Sequence, residues 1–367
     1  MSTPRVAFVS SGAKLGGEER YLSLVLQHLP RDSVAGVIAL ERGPYVDRVA
    51  AAGFEVVVLP TGRRLGIAVS AARLARRLRA FRPQLVHANG VKAALACALA
   101  GRIGAPPFVW VKHDLSWDGP LARWIGRHAA AVVGVSAAVT ETFAGRGTHV
   151  SVVHNALPPL DVDAAAGRAA LAAPDGAPVV LIVGRLDPTK GHRELLAVLP
   201  SLRARFPGLR LAFVGMEQRP FVGYADALRA EAAHAGVADA VTFLGYREDA
   251  PQLIAGADAV CIPTVADERG MGREGFSFVA LEAMAVGTPV VGYAHGALPE
   301  ILGDCGLLAP PGDRAALARL LGDALASPEL HDRLAACGRA RVAAEFSLPR
   351  MIERLEDVYR DAAKAPR

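Results

Sequence analysis

The chain has 367 residues, which at roughly 150 residues per domain predicts two globular domains. Apolar residues make up 52% and charged residues 21% of the sequence, a balance that excludes a disordered chain. No run approaches the ~20 apolar residues of a membrane-spanning helix, and the first residues lack the basic-then-apolar pattern of a secretion signal, so we expect a cytoplasmic protein.

The formal net charge of +5 is unevenly distributed along the chain. Residues 1–157 carry 19 Lys and Arg against 9 Asp and Glu, whereas residues 158–367 carry 22 against 27. A basic half can serve nucleic acid, an anionic membrane surface or a phosphorylated small molecule. Net charge alone therefore leaves the partner open.

The spacing of the cysteines predicts neither a disulfide nor a zinc site. They are far apart in the sequence and form no C-x-x-C pair, so we expect buried thiols rather than a disulfide or a zinc site. The four residues are Cys97, Cys261, Cys305 and Cys337.

Short β-branched runs alternate with helical patterns through residues 1–157. The predicted strands are Val6–Ser10, Val34–Leu40, Glu55–Leu59, Leu85–Ala88, Phe108–Lys112, Ala131–Val135 and Val150–His154. The predicted helices are Glu18–Leu29, Tyr45–Ala52, Ile67–Phe81 and Ala93–Gly101. Such alternation predicts a parallel sheet covered by helices on both faces.

The periodicity fails over residues 158–177, which are rich in Pro, Ala and Gly and which we interpret as a linker. A second βα series follows in residues 178–345, and residues 346–367 are predicted to form a C-terminal helix that returns to the first domain. The predicted elements of the second domain are strands Val179–Val183, Leu209–Val214, Val241–Leu244, Ala259–Pro263 and Pro289–Gly292, and helices Arg314–Ala326 and Glu329–Glu345. We therefore expect an α/β protein of two doubly wound, Rossmann-like domains facing a central cleft, with ligands at the carboxyl ends of the strands.

The most specific pattern in the second domain is a pair of glutamates eight residues apart, Glu274 and Glu282. Between them, Ser277 is a good N-cap for a helix that Gly287 would end. The first amides of such a helix and its dipole form an anion site. The two carboxylates would flank a bound phosphate, where each can accept hydrogen bonds from sugar or ribose hydroxyls.

A second loop with two cations directly follows the first strand of this domain. Its sequence is Gly184-Arg185-Leu186-Asp187-Pro188-Thr189-Lys190-Gly191. The Arg and the Lys can converge on a diphosphate, the Arg as a fork and the Lys as a point charge. The loop is not a Walker A loop, and no G-x-G-x-x-G follows the first strand of either domain, which argues against a nicotinamide cofactor.

These patterns resemble those of the retaining, GT-B-fold glycosyltransferases of family 4, and the resemblance covers nearly the whole chain. Its most specific element is the E-x7-E pattern described above. Supporting elements are Gly184-Arg185 with Lys190-Gly191, Phe243-Leu244-Gly245-Tyr246 ahead of Gly256-Ala257-Asp258-Ala259, and His295-Gly296-Ala297-Leu298-Pro299-Glu300. The resemblance implies transfer of a sugar from a UDP- or GDP-linked donor to an acceptor hydroxyl with retention at the anomeric carbon, in envelope glycan or secondary-metabolite biosynthesis.

The resemblance also implies roles for individual residues of the second domain, which would bind the nucleotide sugar. Arg185 and Lys190 would hold the diphosphate, with Gly184 in the same loop. Glu282 would bind the ribose, and Glu274 would contact the donor sugar near its C3 hydroxyl. The remaining donor contacts would be Gly275, Phe276, Ser277, Phe278 and Val279, with Tyr246 near the base.

The first domain would then bind the acceptor. Its first strand is followed by a loop with Lys14 and the pair Gly16 and Gly17, which lets the backbone approach a ligand closely. The resemblance implies that this loop faces the donor phosphate and the acceptor, with the glycine pair on the donor and Lys14 on the acceptor.

Two further strands of the first domain end in polar residues. His87 and Asn89 lie at the end of one and are candidate acceptor contacts. His113 ends another, and in the similar family a His at that place commonly contacts the donor sugar. A single His at a strand end also fits a cleft-wall residue without chemistry.

The predicted mechanism is electrostatic. The leaving diphosphate gains negative charge as the glycosidic bond stretches, and the two cations and the helix-start amides are placed to stabilise it. No D-x-D and no His/Asp cluster at metal spacing stands in the cleft-forming loops, so we expect no metal and no cofactor. The family's usual proposal is a front-face substitution in which the departing phosphate oxygen accepts the acceptor's proton. The candidate catalytic residues are Glu274, Arg185, Lys190 and His113.

Two other classes share parts of this pattern. A GT-B-like sugar-nucleotide epimerase or hydrolase would share the diphosphate site but needs acid/base groups at the sugar. A two-domain solute-binding protein would share the hinged architecture but should carry a secretion signal. Within the transferase hypothesis, the acceptor stays open between a saccharide, a lipid-linked intermediate and a small-molecule aglycone.

Seven arginines with no acid among them lie between positions 63 and 82. They are Arg63, Arg64, Arg73, Arg76, Arg77, Arg79 and Arg82. The cluster fits either a solvated helix face or peripheral docking on the inner face of an anionic membrane, for which Trp124 between Arg123 and Arg127 would be suited. We expect no nucleic acid partner, because few aromatic residues accompany the arginines to stack bases.

Overall fold

A computed structural model describes residues 3–12, 16–61, 66–267 and 272–364. The chain divides into two compact units: unit 1 is Met1–Ala156 with Leu348–Arg367, and unit 2 is Leu157–Ser347. No helix of the described ranges is long and apolar enough to cross a membrane.

Both units are built from alternating strands and helices. The strands are β1 (Val6–Ser10), β2 (Val34–Ala39), β3 (Val56–Val58), β4 (Leu85–Asn89), β5 (Phe108–Lys112), β6 (Ala131–Gly134), β7 (Val150–Val152), β8 (Val179–Val183), β9 (Arg210–Val214), β10 (Val241–Gly245), β11 (Ala259–Ile262), β12 (Val290–Tyr293) and β13 (Leu307–Ala309). The helices are α1 (Gly17–His28), α2 (Pro44–Ala51), α3 (Gly66–Phe81), α4 (Val91–Gly101), α5 (Pro120–His128), α6 (Ala164–Ala170), α7 (His192–Arg205), α8 (Tyr224–His234), α9 (Ala250–Ala255), α10 (Phe278–Val286), α11 (Leu298–Leu302), α12 (Arg314–Ala326), α13 (Pro328–Glu345) and α14 (Leu348–Lys364).

The two sheets are parallel and follow the same design. Unit 1 has the strand order β3-β2-β1-β4-β5-β6-β7, and unit 2 has the order β10-β9-β8-β11-β12-β13. Every residue of β1, β4 and β5 is buried, as expected for central parallel strands with helices on both faces. The predicted fold class, two doubly wound α/β sheets, is confirmed.

In each sheet the strand order reverses direction at one place. The reversal lies between β1 and β4 in unit 1 and between β8 and β11 in unit 2. Ligands of open α/β sheets bind outside the carboxyl ends of the strands at such a reversal. We therefore expect ligand-binding residues in the loops after these four strands.

The segment 158–177 differs from the linker that its composition predicts. It contains α6, which packs on α9 within unit 2. The contact is close because both helices present glycine there: a Cβ added to Gly167 would lie 1.9 Å from the carbonyl oxygen of Gln252, and one added to Gly256 would lie 2.2 Å from the amide of Arg168. A short helix of small residues leaves no apolar periodicity in the sequence.

The cysteine prediction is wrong for two of the four residues. Cys305 and Cys337 form a disulfide between the loop after α11 and helix α13, whereas Cys97 and Cys261 are buried thiols as predicted. The two bonded residues are 32 positions apart, and their Cα atoms are 5.2 Å apart. Only the packing of α13 in unit 2 brings them together.

Helix α14 completes unit 1. Leu355, Tyr359 and Ala362 lie on its buried face, and the hydroxyl of Tyr359 is 2.6 Å from Nδ1 of His87 at the centre of the sheet. The last helix is thus fixed to β4 by a buried polar contact as well as by apolar packing.

Candidate active site

The loop after β8 in unit 2 is shaped by Asp187. This carboxylate accepts hydrogen bonds from the amide of Thr189 at 2.9 Å and from its hydroxyl at 2.7 Å, and so caps the short 3-10 turn Pro188–Lys190. Its second oxygen is 3.1 Å from the guanidinium of Arg185, which is half exposed. The turn therefore presents Arg185 towards solvent and directs Lys190 back towards the sheet.

Glycine allows this loop to lie against the end of β11. Gly191 has a φ of +76°, and a Cβ added to it would lie 1.8 Å from the carbonyl oxygen of Pro263. Any larger residue would force the loop away from the sheet. The close approach places Lys190 beside the residues that follow β11.

Lys190 meets Glu274 in this position. Its Nζ is 2.8 Å from Oε2 of Glu274, and the hydroxyl of Thr264 donates to the same oxygen at 3.3 Å. The side chains of Lys190 and Glu274 are 26% and 13% exposed. One partly buried site thus holds a cation from the loop after β8 and a carboxylate and a hydroxyl from the connection between β11 and α10.

The backbone of Glu274 is held from a third connection, the one between β12 and α11. The amide of Ala297 donates to the carbonyl of Glu274 at 2.8 Å. Gly296, with a φ of +59°, approaches so closely that an added Cβ would lie 2.2 Å from the same carbonyl. The His295-Gly296-Ala297 turn, which the sequence offers as a family element, therefore fixes the glutamate's position.

Helix α10 begins and ends as predicted. The Ser277 hydroxyl accepts from the amide of Ala280 at 3.2 Å, and Gly287 closes the helix with a φ of +89°. The positive end of the helix dipole thus lies a few residues after Glu274. Glu282 is 5% exposed in the second turn of the same helix.

The other predicted donor contacts lie around these elements. Phe276 packs edge-on against Phe278, with ring centroids 5.8 Å apart, and Gly275, Phe278 and Val279 lead into and begin α10. Tyr246 is 59% exposed just after β10, and Gly184 directly follows β8 and begins the loop that carries Arg185 and Lys190. Their roles towards a donor remain predictions.

In unit 1 the polar groups gather at the carboxyl ends of β1, β4 and β5. Nε2 of His113 is 2.7 Å from Oδ1 of Asn89, whose amide group donates to the carbonyl of Glu18 at 3.3 Å. The pKa of His113 is lowered to about 3, mainly by burial and in smaller part by the neighbouring His87 and Lys112. At neutral pH the ring is uncharged, donates from Nε2, and can accept a substrate hydroxyl's hydrogen bond at Nδ1.

Glu18 is a titratable group at this edge that the sequence reading missed. The pKa of its carboxyl is raised to about 8, mainly by burial and in smaller part by the negative charges of Asp114 and Glu19. Its oxygen lies near the backbone of Gly90, where an added Cβ would be 2.9 Å from it. Only its position after a glycine pair at a strand-to-helix corner could have singled it out.

The glycine pair after β1 lies at the start of helix α1. The amide of Gly16 donates to the carboxylate of Glu19 at 3.1 Å, which closes the start of the helix. This amide is thus already bonded within the protein, while Gly17 is the first, exposed residue of α1. Lys14, predicted to contact the acceptor, lies outside the described residues.

His87 is not in a position to contact an acceptor, contrary to the sequence-based expectation. It is fully buried between the rings of Phe8 and Tyr21 and is bonded to Tyr359. Burial lowers its pKa to about 3. It is a core residue of unit 1, because alternate residues of a strand point to opposite faces of the sheet and helix α14 covers this one.

Two functional-site residues of unit 2 were missed by sequence reasoning. Asp187 could have been found, since Asp followed by Pro is a strong N-cap signal. Thr264 carries no local signal beyond being the polar residue just after a buried strand. Within the described part of the chain, no group of three or more His, Cys, Asp or Glu could hold a metal ion.

Comparisons with known proteins agree with this architecture. The sequence profile of glycosyl transferases group 1 matches residues 163–341, and that of Glycosyltransferase Family 4 matches residues 15–159. A GDP-mannose-dependent alpha-(1-6)-phosphatidylinositol monomannoside mannosyltransferase of Mycolicibacterium smegmatis is 31% identical over 88% of this chain and 89% of its own. The chain belongs to the family 4, group 1 glycosyltransferases.

It is therefore a glycosyltransferase (EC 2.4) that uses a nucleotide sugar. A glycogen synthase of Mycobacterium tuberculosis is 30% identical over 79% of this chain and 71% of its own. The crystal structure of Anabaena Alr3699/HepE in complex with UDP matches with a TM-score of 0.85 at 24% identity, over 96% of this chain and 98% of that one. This structural match confirms the GT-B fold.

Proposed function

We propose that this glycosyltransferase retains the anomeric configuration of a hexosyl group that it moves from a UDP- or GDP-linked donor to an acceptor hydroxyl. The observation that carries the proposal is the contact of Lys190, Glu274 and Thr264 beside the start of α10. A cation that can bind the diphosphate and a carboxylate that can accept from the sugar hydroxyls lie 2.8 Å apart at this site.

The charges at this site support a metal-free departure of the diphosphate. As the bond from the anomeric carbon to the phosphate oxygen stretches, negative charge grows on that oxygen, and Lys190, Arg185 and the positive end of α10 can stabilise it. In a front-face substitution the acceptor oxygen forms the new bond on the same side, and its proton passes to the departing phosphate oxygen. No protein nucleophile is required.

The remaining predicted donor residues take supporting roles in this proposal. Glu282 would accept from the ribose hydroxyls, and the exposed Tyr246 would lie beside the base. In unit 1, the neutral His113 would contact the donor sugar through a hydrogen bond, because a ring with its pKa lowered to about 3 is not a proton donor near neutral pH.

Donor identity is the part that the first experiment should determine. The M. smegmatis relative is named for GDP-mannose and the Anabaena structure contains UDP, so both bases enter the screen. Thermal shift with UDP-, GDP- and other nucleotide sugars should show stabilisation by one donor class. Arg185→Ala and Lys190→Ala should each lose about ten- to a hundredfold in turnover, since a charge-assisted hydrogen bond contributes about 1.5–3 kcal/mol. Near-normal turnover of both variants would refute the mechanism.

A sugar-nucleotide epimerase or hydrolase is the alternative activity. It would share the diphosphate site but needs a proton donor and acceptor at the sugar ring. The match to a mannosyltransferase over most of both chains favours transfer. Scoring the same nucleotide sugars for hydrolysis and epimerisation, with and without alcohol acceptors, distinguishes the three reactions.

For the acceptor, we propose that the enzyme is cytoplasmic and docks on the inner face of an anionic membrane. On α3 and just after it, five arginines are exposed and form no ion pair with any described residue: Arg73, Arg76, Arg77, Arg79 and Arg82. Each basic residue near an anionic surface contributes about 1 kcal/mol. The relative named for a phosphatidylinositol monomannoside acceptor makes a lipid-linked acceptor the first to test, ahead of soluble saccharides and aglycones.

Liposome co-sedimentation tests this docking. Wild-type protein should bind phosphatidylglycerol vesicles more strongly than phosphatidylcholine vesicles, and R76Q/R77Q should reduce the difference. The matched control is R229Q/R319Q, which removes the same charge from exposed arginines that are ion-paired in unit 2. Equal binding to both lipids, or equal loss in both double variants, would contradict a specific role of α3.

A further inference from the structure

The loop between β5 and α5 exposes a tryptophan in a backbone conformation that few residues adopt. Trp117 is 65% exposed and has a φ of +60°. In the described residues, only three positions other than glycine have a positive φ, and Trp117 is the one aromatic residue among them. A bulky side chain in the left-handed region is strained, and such strain persists only where the surroundings impose it.

A buried lysine imposes this conformation. Lys112, the last residue of β5, is 2% exposed, and its Nζ lies 2.8 Å from Oδ1 of Asp118 and also donates to the carbonyl of Asp114. Asp114 in turn accepts from the amide of Ser116 at 3.1 Å and from its hydroxyl at 2.7 Å. The loop is therefore held on both sides of Trp117.

Burying an ammonium group is unfavourable unless it is fully bonded. The buried contacts of Lys112 therefore hold a surface loop in one conformation at a cost in desolvation. Core packing does not explain it, since about two thirds of the Trp117 side chain faces solvent. Loops fixed by rigid strands and carrying a solvent-exposed aromatic residue are typical binding elements.

Hydrogen-bonding groups lie at the same edge of the sheet. β5 pairs with β4, so the loop of Trp117 follows the strand next to Asn89. His113 opens this loop with its Nδ1 able to accept, and the Glu18 carboxyl is close enough to Asp114 for the two charges to interact. An indole, a carboxyl group and an imidazole nitrogen thus lie in loops at the same edge of the sheet.

This combination matches one kind of ligand. A six-membered polyol ring, whether a pyranose or a cyclitol, has an apolar face of C–H groups and a rim of hydroxyls. The face packs on an aromatic ring and the rim hydrogen-bonds to polar side chains, which is the usual composition of a small-molecule site. An acyclic polyol or a bare phosphate would not use the indole.

We propose that Trp117 is the platform on which the ring of the acceptor stacks, with Glu18 bonding to its hydroxyls, so that this loop selects neutral six-membered polyol rings as acceptors. The inference rests on the proposed transfer to an acceptor hydroxyl. Trp117 is a specificity residue here, and Lys112 and Asp118 position it.

Intrinsic fluorescence tests the contact directly because the chain has three tryptophans. Trp110 is fully buried, and Trp124→Phe removes the third, so the variant reports on Trp117. Titration of Trp124→Phe with myo-inositol and with the methyl α-glycosides of mannose, glucose and N-acetylglucosamine should give a saturable change and protection from acrylamide quenching for at least one ring. Glycerol is the control and should give neither, and a W124F/W117L double variant should lose the response.

Two outcomes overturn the proposal. One is the absence of protection by every ring. The other is protection by phosphatidylglycerol vesicles without any polyol, which would make Trp117 a membrane contact. If UDP and GDP sugars also fail to bind the wild-type protein, the proposed function itself fails. Donor binding together with no ring protection refutes the inference about Trp117 alone.

A stability comparison separates recognition from a structural role. Asn tolerates a positive φ, so Trp117→Asn should leave the Tm unchanged or raise it while ring binding is lost. Trp117→Phe should retain most of the binding, and Trp117→Ala should raise the acceptor KM about tenfold or more with donor affinity unchanged. A clear fall of the Tm in Trp117→Asn, or equal changes of donor and acceptor KM in Trp117→Ala, would show that the residue only supports the loop.

Discussion

Replacing Glu274 by Gln should separate binding of the nucleotide diphosphate from transfer of its sugar. Oε2 of Glu274 lies 2.8 Å from Nζ of Lys190, so the lysine proposed to hold the diphosphate is paired within the protein. A diphosphate has to take Lys190 from this partner. Glu274→Gln removes the competing charge and keeps the size of the side chain.

The magnitude follows from the geometry of the pair. At 2.8 Å, Coulomb's law gives about 1.5 kcal/mol in water and about 6 kcal/mol at an effective dielectric of ~20. Because both side chains retain some exposure to water, desolvation and lost side-chain entropy offset most of this, leaving about 1 kcal/mol net. UDP or GDP should therefore bind Glu274→Gln up to about fivefold more tightly than wild type.

Sugar transfer by the same variant should fall about ten- to a hundredfold, because a hydrogen bond from the sugar hydroxyl to a charged carboxylate is lost. Lys190→Met should instead weaken the nucleotide by a similar factor. Calorimetric titration of UDP and GDP into the three proteins, together with a transfer assay, measures both effects. Thr264→Val is the control, since it removes a contact to Glu274 without changing charge. Weaker nucleotide binding by Glu274→Gln, as large as that of Lys190→Met, would refute the competition.

Glu18→Gln should stabilise the protein at pH 8 and leave its stability near pH 4.5 unchanged. The pKa of Glu18 is raised from 4.5 to about 8, so between these pH values the folded wild type binds more protons than the unfolded chain. The stability of the wild type therefore falls as the pH rises through this range. Parallel Tm-against-pH curves for the two proteins would contradict the raised pKa. Tyr359→Phe should cost about 1–3 kcal/mol in the free energy of unfolding, because it leaves Nδ1 of the buried His87 without this partner. Tyr21→Phe should be neutral or stabilising, because the buried Tyr21 hydroxyl has no hydrogen-bond partner among the described residues. Equal urea midpoints for the two variants would count against the buried hydrogen bond. Gly191→Ala should abolish nucleotide binding, since the added Cβ would lie 1.8 Å from a carbonyl oxygen and the loop must move, and calorimetry with UDP and GDP that shows wild-type affinity would disprove this.

Local patterns in the sequence predicted much of the fold. β-branched runs mark β1, β5 and β8 to the residue, and the N-cap Ser277 with the C-terminal Gly287 marks α10. Elements without such patterns were missed. The three-residue edge strand β13 and the helix α6, made of small residues, lack a measurable apolar period.

The candidate site divides in the same way. The sequence identified Arg185, Lys190 and Glu274 because each lies in a loop after a predicted strand or at a predicted helix start. It assigned His87 to the acceptor because the residue ends a predicted strand. Whether such a side chain reaches solvent depends on the helix above it, and α14 is supplied from the far end of the chain.

The sequence by itself determined two α/β domains and the types of residue that lie at their strand ends, because strand periodicity, helix caps and glycine turns are properties of neighbouring residues. Only the tertiary structure decided which of these groups meet. Lys190 and Glu274 are 84 positions apart and are joined by the packing of adjacent strand ends, and the bond between Cys305 and Cys337 depends on how α13 lies in unit 2. Contacts of this range depend on burial and shape across the whole sheet, and no local spacing contains that information.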